Sequence, residues 1–148
     1  MRSIFLALLA LALAGCGSKH DPLEDLGTRL ITLPAGMQVR AEVLTNPQDM
    51  ARGMMFRDSL APDRGMLFVH GHPGNYPYWM YQVRIPLDII WLDSERRVVE
   101  IAADTPPCKS EPGLCPNYGG HFAAQYVLEL AGGMAAKYGV KPGERVEF

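Results

Sequence analysis

The shortness of the apolar segments constrains the fold of this chain more than any other feature of its sequence. Outside the N-terminal leader, apolar runs are about four to seven residues long and end at prolines, glycines or polar turns, which is typical of strands. Strands are predicted at residues 30–33, 39–44, 65–69, 78–84, 87–92, 98–102, 126–130 and 145–148. This succession predicts an antiparallel-rich α+β domain with a closed or nearly closed, barrel-like sheet.

Two short helices complete the predicted domain. The first has Asn46 as its capping residue, Pro47 in its first turn and Gly53 at its end. The second spans residues 132–138. Residues 70–75 are rich in glycine, proline and asparagine, so they are predicted to form a loop after the third strand.

The composition is that of an ordinary globular domain. The chain has 148 residues, which favours one domain, and its 48% hydrophobic and 20% charged residues argue against disorder or a fibre. The formal net charge is −2, and the arginines are scattered rather than gathered into a basic stripe. A nucleic-acid partner is therefore not expected.

Residues 1–15 have the features of a secretory signal peptide. Arg2 supplies the positive charge, and residues 4–13 form an apolar run that is too short for a membrane-spanning helix, which needs about 20 residues. Small residues then precede Cys16, a pattern that resembles the lipobox of bacterial lipoproteins, in which the cysteine is acylated. An ordinary secretory leader that ends beside a chance cysteine is the alternative.

The predicted mature protein consists of a lipidated tether, residues 16–28, and one globular domain, residues 29–148. The tether is polar and turn-prone, and acyl chains on Cys16 would anchor it stably to a membrane. The expected location is the cell envelope. Gly17 stands where an aspartate retains Gram-negative lipoproteins in the inner membrane, so the periplasmic face of the outer membrane is expected in such a host.

Cys108 and Cys115 are the two remaining cysteines, and they flank a proline-rich loop. An even pair in an oxidising compartment favours a disulfide bond. A redox pair or a soft-metal site is the alternative. Redox pairs usually have two intervening residues, whereas six separate these cysteines, and this spacing favours the structural disulfide.

Several segments, taken together and in order, resemble one known family. They are Asn46-Pro47, residues 51–57, residues 65–68, Trp79-Met80, residues 85–90, residues 106–108, residues 115–118, and residues 126–130 with Gly132 and Gly139. The chain resembles, over about residues 38–148, the bacterial and archaeal family called domain of unknown function 192. The resemblance implies a small, mostly β domain that is often exported, and it implies no activity. Residues 81–83 depart from the family's usual Lys-Asn-Thr type of segment, so a function tied to that segment does not carry over.

Asp88 is the most unusual polar residue, because it interrupts an apolar run. A carboxyl group there needs hydrogen bonds or an ion pair. The structural interpretation is a pair with Arg57 or Arg84, or bonds to backbone amides. The functional interpretation places Asp88 at the floor of a ligand pocket with Trp79 and Tyr118 as its walls.

The candidate residues define a binding surface around Trp79, Asp88 and the disulfide loop. The predicted binding residues are Arg57, Trp79, Met80, Asp88, Tyr118 and His121. Glycines beside Tyr118 permit close approach of a ligand, although a rigid loop without a ligand fits the same sequence. Imidazoles and thioethers together suit copper, but their spacing is unpersuasive, so no metal ligand is assigned. The weak candidates for copper are His70, His72 and His121, with Met54, Met55, Met66 and Met80.

The sequence contains no recognisable catalytic motif, neither a nucleophile elbow nor a zinc-protease helix nor a phosphate loop. We therefore expect a non-enzymatic envelope lipoprotein domain without a cofactor, which binds a small molecule or an envelope protein. A copper-binding protein and an enzyme, for example a hydrolase, are the alternative interpretations.

Overall fold

The computed structural model describes residues 27–148. The predicted signal peptide, the lipidation of Cys16 and nearly all of the predicted tether lie outside the described residues.

The described residues form eight strands, two short α-helices and one 3-10 turn. They are β1 (Thr28–Thr32), β2 (Gln38–Leu44), α1 (Pro47–Arg52), β3 (Arg64–Gly74), β4 (Tyr78–Trp79), β5 (Leu87–Leu92), β6 (Val98–Thr105), the 3-10 turn Pro112–Leu114, β7 (Asn117–Tyr118), β8 (Ala124–Ala131) and α2 (Met134–Lys137). Six strands form one mixed sheet in the order β1-β2-β3-β8-β5-β6, and β4 pairs with β7 in a small separate ladder. The prediction of a mostly β domain with two short helices is confirmed.

One pair of strands in the large sheet is parallel. β2 and β3 run in the same direction, whereas the other four pairs of that sheet are antiparallel. A parallel pair needs a crossover, and α1 with the segment that follows it supplies one. The sequence predicted α1 correctly: the Asn46 side chain accepts a hydrogen bond from the Asp49 amide, and Gly53 ends the helix with a φ of 45°.

The sheet is buried on both faces in its centre, and all six residues of β5 are buried. One apolar cluster includes Leu128 and Leu130 of β8 and is covered by α2 and the C-terminal segment; we call this side the α2 face. The opposite cluster includes Val127 of β8 and is covered by the segment after α1 and by β4; we call this side the α1 face. Because successive side chains of a strand alternate, Glu129 lies on the α1 face.

The sheet is not closed by a continuous ladder of hydrogen bonds, because its edge strands β1 and β6 do not pair with each other. The barrel-like closure that the sequence suggested is therefore not confirmed. The C-terminal segment contacts both edges of the sheet through isolated bridges. Glu147 pairs with Thr32 at the end of β1, and Arg145 pairs with Arg97 just before β6. Residues 145–148 were predicted to be a strand, which is wrong, since isolated bridges to two partners do not build a ladder.

Two other predictions are corrected by the structure. Residues 70–74 belong to β3 rather than to a loop, because pairing with β8 resumes at Gly74 after an irregularity. The strand predicted at residues 78–84 comprises only Tyr78–Trp79, because the chain turns at Gln82, which has a positive φ of 56°. The strands predicted at residues 87–92 and 98–102 are confirmed as β5 and β6, which pair as a hairpin, and the Cys108–Cys115 disulfide is confirmed as well.

Candidate functional site

Asp88 is fully buried, and its carboxyl group is saturated by backbone amides. Its Oδ1 accepts hydrogen bonds from the amides of Asp104 and Gly133 at 2.7 and 3.0 Å, and its Oδ2 accepts one from the amide of Ala135 at 2.6 Å. These bonds tie β5 to the end of β6 and to the start of α2. The structure thus gives Asp88 the bonds to backbone amides that the sequence analysis named as one structural interpretation.

Asp88 and the predicted pocket walls lie on different sides of the sheet. Leu87 and Ile89 belong to the α1 face, so Asp88 between them points to the α2 face. Trp79 and Tyr118 lie on the β4–β7 ladder, which packs on the α1 face. The structure therefore places Trp79 and Tyr118 on one ladder, where their side chains point to opposite faces, and it does not bring Asp88 to them.

Arg57 lies after α1 and forms a bidentate ion pair with Glu42 of β2. Its Nη1 and Nη2 atoms lie 2.5 and 2.7 Å from the two carboxyl oxygens of Glu42. This hydrogen bonding raises the pKa of Arg57, although partial burial opposes the rise. Arg84 instead pairs with Asp58 at 2.8 Å on the surface. Neither arginine is a partner of Asp88.

Glu129 is the polar residue that the sequence analysis missed. Its side chain lies in the centre of the α1 face, on β8 between Met66 of β3 and Ile89 of β5. The residue is 4% exposed, and its Oε2 is a buried side-chain atom without a hydrogen-bond partner among the described residues. Burial raises the pKa of Glu129 to about 8, and the nearby charge of Arg57 opposes this rise.

A small cavity of about 30 Å³ lies between Glu129 and α1; we call it the Glu129 chamber. The chamber is lined by residues of α1 and of the segment directly after α1. Residues of β4 and of the turn after β4 also line it, together with Phe68 and Glu129. Tyr78 also lines it, and burial raises the pKa of the Tyr78 phenol well above its usual value. A cavity of this size holds roughly one or two water molecules and no larger group.

An apolar cleft of about 290 Å³ adjoins one side of the chamber; we call it the aromatic cleft. It is lined by Met50, Ala51, His70, Tyr76, Pro77, Tyr78 and Trp79. The rings of His70 and Tyr76 stack with their centroids 3.5 Å apart. Burial lowers the pKa of His70, and the neighbouring His72 lowers it further. At neutral pH the cleft therefore presents apolar and aromatic surface without a buried charge.

A polar groove of about 420 Å³ lies on the other side of α1. Glu42 and Asp49 contribute acidic groups to it, and Arg52 and Arg57 contribute basic groups, so its charges balance. The helix that separates the groove from the aromatic cleft has no buried residue. A helix without a buried residue is weakly held by packing, so α1 is the element of this region that moves at least cost.

The remaining predicted residues are dispersed. His121 is mostly exposed, and its Nδ1 lies 2.5 Å from Oε1 of Glu100. Met80 is fully buried, and its sulfur accepts a weak hydrogen bond from the Thr105 hydroxyl at 3.7 Å. His70 contacts the Tyr78 hydroxyl at 3.2 Å. Within residues 27–148, no group of three or more histidine, cysteine or acidic side chains is arranged to hold a metal ion.

The comparisons agree with this picture of the fold. The profile of the family DUF192, described as "Uncharacterized ACR", matches residues 31–148, so the chain belongs to that family. No curated protein matches the chain. Among residues 27–148, no helix is long and apolar enough to cross a membrane.

Two crystal structures are similar to the domain. A protein of unknown function from Novosphingobium aromaticivorans DSM 12444 is 34% identical, with a TM-score of 0.70 over 82% of this chain and 84% of that one. A protein from Sinorhizobium meliloti 1021, described as a "putative transcription regulator", is 28% identical, with a TM-score of 0.68 over 80% of this chain and 89% of that one.

Proposed function

We propose that this protein is a non-enzymatic ligand-binding lipoprotein of the cell envelope, and that the Glu129 chamber with the aromatic cleft is its small-molecule site. The single observation that carries the proposal is the buried Oε2 of Glu129, which has no partner among the described residues and belongs to a residue that lines a cavity. A polar atom that is buried without a hydrogen bond costs about 1–3 kcal/mol. A ligand that donates a hydrogen bond to Oε2 would remove this cost.

The surroundings of Glu129 favour binding over catalysis. The chamber is lined by methionines and aromatic residues, and its lining contains no serine, threonine, cysteine or lysine side chain that could act as a nucleophile. The Tyr78 phenol has a raised pKa, so it is a poor nucleophile near neutral pH. An apolar pocket with one convergent polar group is the usual form of a small-molecule site.

The envelope location rests on the sequence of residues 1–28. A leader that ends in small residues before Cys16 supports export and acylation of that cysteine. The disulfide between Cys108 and Cys115 is consistent with an oxidising compartment. Replacing Cys16 with serine is expected to move the protein from the membrane fraction to the soluble periplasmic fraction, which cell fractionation and immunoblotting measure.

Native mass spectrometry tests the binding role. The protein is purified gently from the envelope in its wild-type form, as Glu129→Gln and as the control Glu100→Gln. Glu100 serves as the control because it is also a glutamate of the sheet, but it is less buried than Glu129 and already has His121 as its partner. We expect a reproducible small-molecule adduct on the wild type and the control that is absent from Glu129→Gln. Bare protein in all three samples would refute the proposal.

Copper binding is the second candidate function, because three thioethers line the chamber. Met50, Met54 and Met55 all contribute to its wall, and thioethers are ligands that Cu(I) prefers. Calorimetric titration with Cu(I) under reducing conditions tests this candidate. A dissociation constant weaker than about 1 μM, which is about −8 kcal/mol, would refute this candidate.

A further inference from the structure

We infer that the ligand of the Glu129 chamber is a primary ammonium cation with an apolar body, whose charged head contacts Glu129 and whose body lies in the aromatic cleft. This inference rests on the proposed function, and it adds the chemical class of the ligand.

The chamber has the chemistry that recognises an ammonium head. Oε2 of Glu129 lacks a hydrogen-bond donor, and an ammonium group carries three N–H donors. Phe68, Tyr78 and Trp79 line the same chamber, and the faces of aromatic rings attract cations. The volume of about 30 Å³ is close to that of one water molecule, which an ammonium head resembles in size.

The aromatic cleft has the chemistry and the position for an apolar body. Met50, Ala51, Tyr78 and Trp79 line both the chamber and the cleft, so the two spaces share a wall. An alkyl stem in the cleft would have to cross this shared wall to reach Glu129. Methionine side chains are unbranched and adapt readily to such a passage.

The charges around Glu129 are compatible with a bound cation. On the segment after α1, Arg57 is already paired with Glu42. Arg52 of α1 lines both the chamber and the polar groove, and its side chain is exposed to solvent, which screens its charge. β4 contributes the phenol of Tyr78, while the residues beside Glu129 on β3 and β5 are apolar. A second carboxyl group does not line the chamber, so Glu129 is the group that balances the incoming charge.

Binding of the cation is coupled to loss of the Glu129 proton. The ammonium enters charged, the carboxylic acid of Glu129 ionises, and the released proton passes to solvent. Because the pKa of Glu129 is about 8, the affinity is expected to rise about tenfold for each pH unit between pH 6 and pH 7 and to level off near pH 8.

Methyl NMR of the full-length protein tests the inference at the level of single residues. The protein is labelled with [¹³C-methyl]methionine, extracted in dodecyl maltoside, and titrated at pH 8 with n-butylammonium and, separately, with n-butanol. These probes match in shape and differ in charge. Met50 and Met54 line the chamber, whereas Met37 and Met134 lie in the β1–β2 turn and in α2 and report unspecific effects.

We expect saturable shifts at Met50 and Met54, constant positions at Met37 and Met134, and binding of butylammonium at least about tenfold tighter than that of butanol, which is about 1.4 kcal/mol. Glu129→Gln should reduce this preference to about twofold or less.

Glu100→Gln should retain the full preference for butylammonium. The thermal unfolding of Glu129→Gln confirms that the variant is folded.

Three results would overturn the inference. Butanol could bind as tightly as butylammonium, or Glu129→Gln could retain the preference for the cation. In the third case neither probe binds, although native mass spectrometry finds an adduct that depends on Glu129. The proposed function would then stand, and only the ligand class would be wrong. If neither the adduct nor binding of a probe is observed, both the proposed function and the ligand class are refuted.

Discussion

The buried carboxyl group of Glu129 predicts an unusual dependence of stability on pH. The pKa of Glu129 is raised from its ordinary value of 4.5 to about 8 in the folded protein, chiefly by burial. Between these values the folded state binds the Glu129 proton and the unfolded state releases it. The free energy of unfolding therefore falls as pH rises from about 4.5 to about 8. Outside that range, Glu129 makes the free energy of unfolding neither rise nor fall with pH.

The size of the effect follows from the shift in pKa. One pKa unit corresponds to about 1.4 kcal/mol, so the whole shift is worth roughly 5 kcal/mol, and about 3 kcal/mol of it is lost between pH 5 and pH 8. Glu129→Gln removes the ionisation and keeps the shape of the side chain. The free energy of unfolding of the variant should therefore exceed that of the wild type by an amount that grows by about 3 kcal/mol between pH 5 and pH 8.

Urea denaturation of both proteins at half-unit pH intervals, followed by tryptophan fluorescence, measures this difference. The comparison between the two proteins cancels the contributions of all other titrating groups that the substitution leaves unchanged. A constant difference between wild type and Glu129→Gln from pH 5 to pH 8 would refute the argument that Glu129 is buried without a partner.

Three further predictions follow from single contacts. Asp88→Ala leaves three backbone amides without their acceptor and is expected to cost about 3 kcal/mol or more in urea denaturation. Reduction of the Cys108–Cys115 disulfide is expected to lower the free energy of unfolding by about 2.5 kcal/mol, measured with and without a phosphine reductant. Gly119→Ala places a Cβ 2.4 Å from the Trp91 ring at a φ of +60°, and thermal unfolding monitored by near-UV circular dichroism should show a loss of at least about 2 kcal/mol.

The two substitutions each have a matched control. Asp58→Ala removes an exposed carboxyl group whose pair with Arg84 is screened by solvent, so a cost below about 1 kcal/mol is expected. Gly113→Ala adds a Cβ in open space and should leave the unfolding temperature nearly unchanged. An equal cost for Asp58→Ala and Asp88→Ala would contradict the structural role of Asp88, and a neutral Gly119→Ala would contradict the contact with Trp91.

Local chemistry made much of the fold predictable from the sequence. The Asn46 cap, the proline in the first turn and Gly53 act within one helix, so α1 was predicted correctly. The hairpin of β5 and β6 likewise depends on neighbouring residues. The parallel pairing of β2 with β3 was not predicted, because it depends on where the crossover packs. The continuation of β3 through residues 70–74 depends on β8, more than 50 positions away along the chain.

The candidate site was harder to predict than the fold, because the decisive residue looked ordinary. Glu129 alternates with Leu128 and Leu130, a pattern that a strand with one solvated face also produces. Only the packing of α1 and β4 over that face makes the carboxyl group buried. Asp88 attracted attention because its neighbours are apolar, yet three backbone amides satisfy it. The structure places Trp79 beside the aromatic cleft rather than beside Asp88, and its role in binding stays a prediction.

A crystal structure of the protein purified gently from the envelope tests the central claim most directly. We expect electron density for a bound molecule whose polar head lies within hydrogen-bond distance of Glu129 Oε2 and whose body extends into the aromatic cleft beside Trp79. A structure in which the chamber is empty and Glu129 Oε2 is bonded to another group of the protein would contradict it.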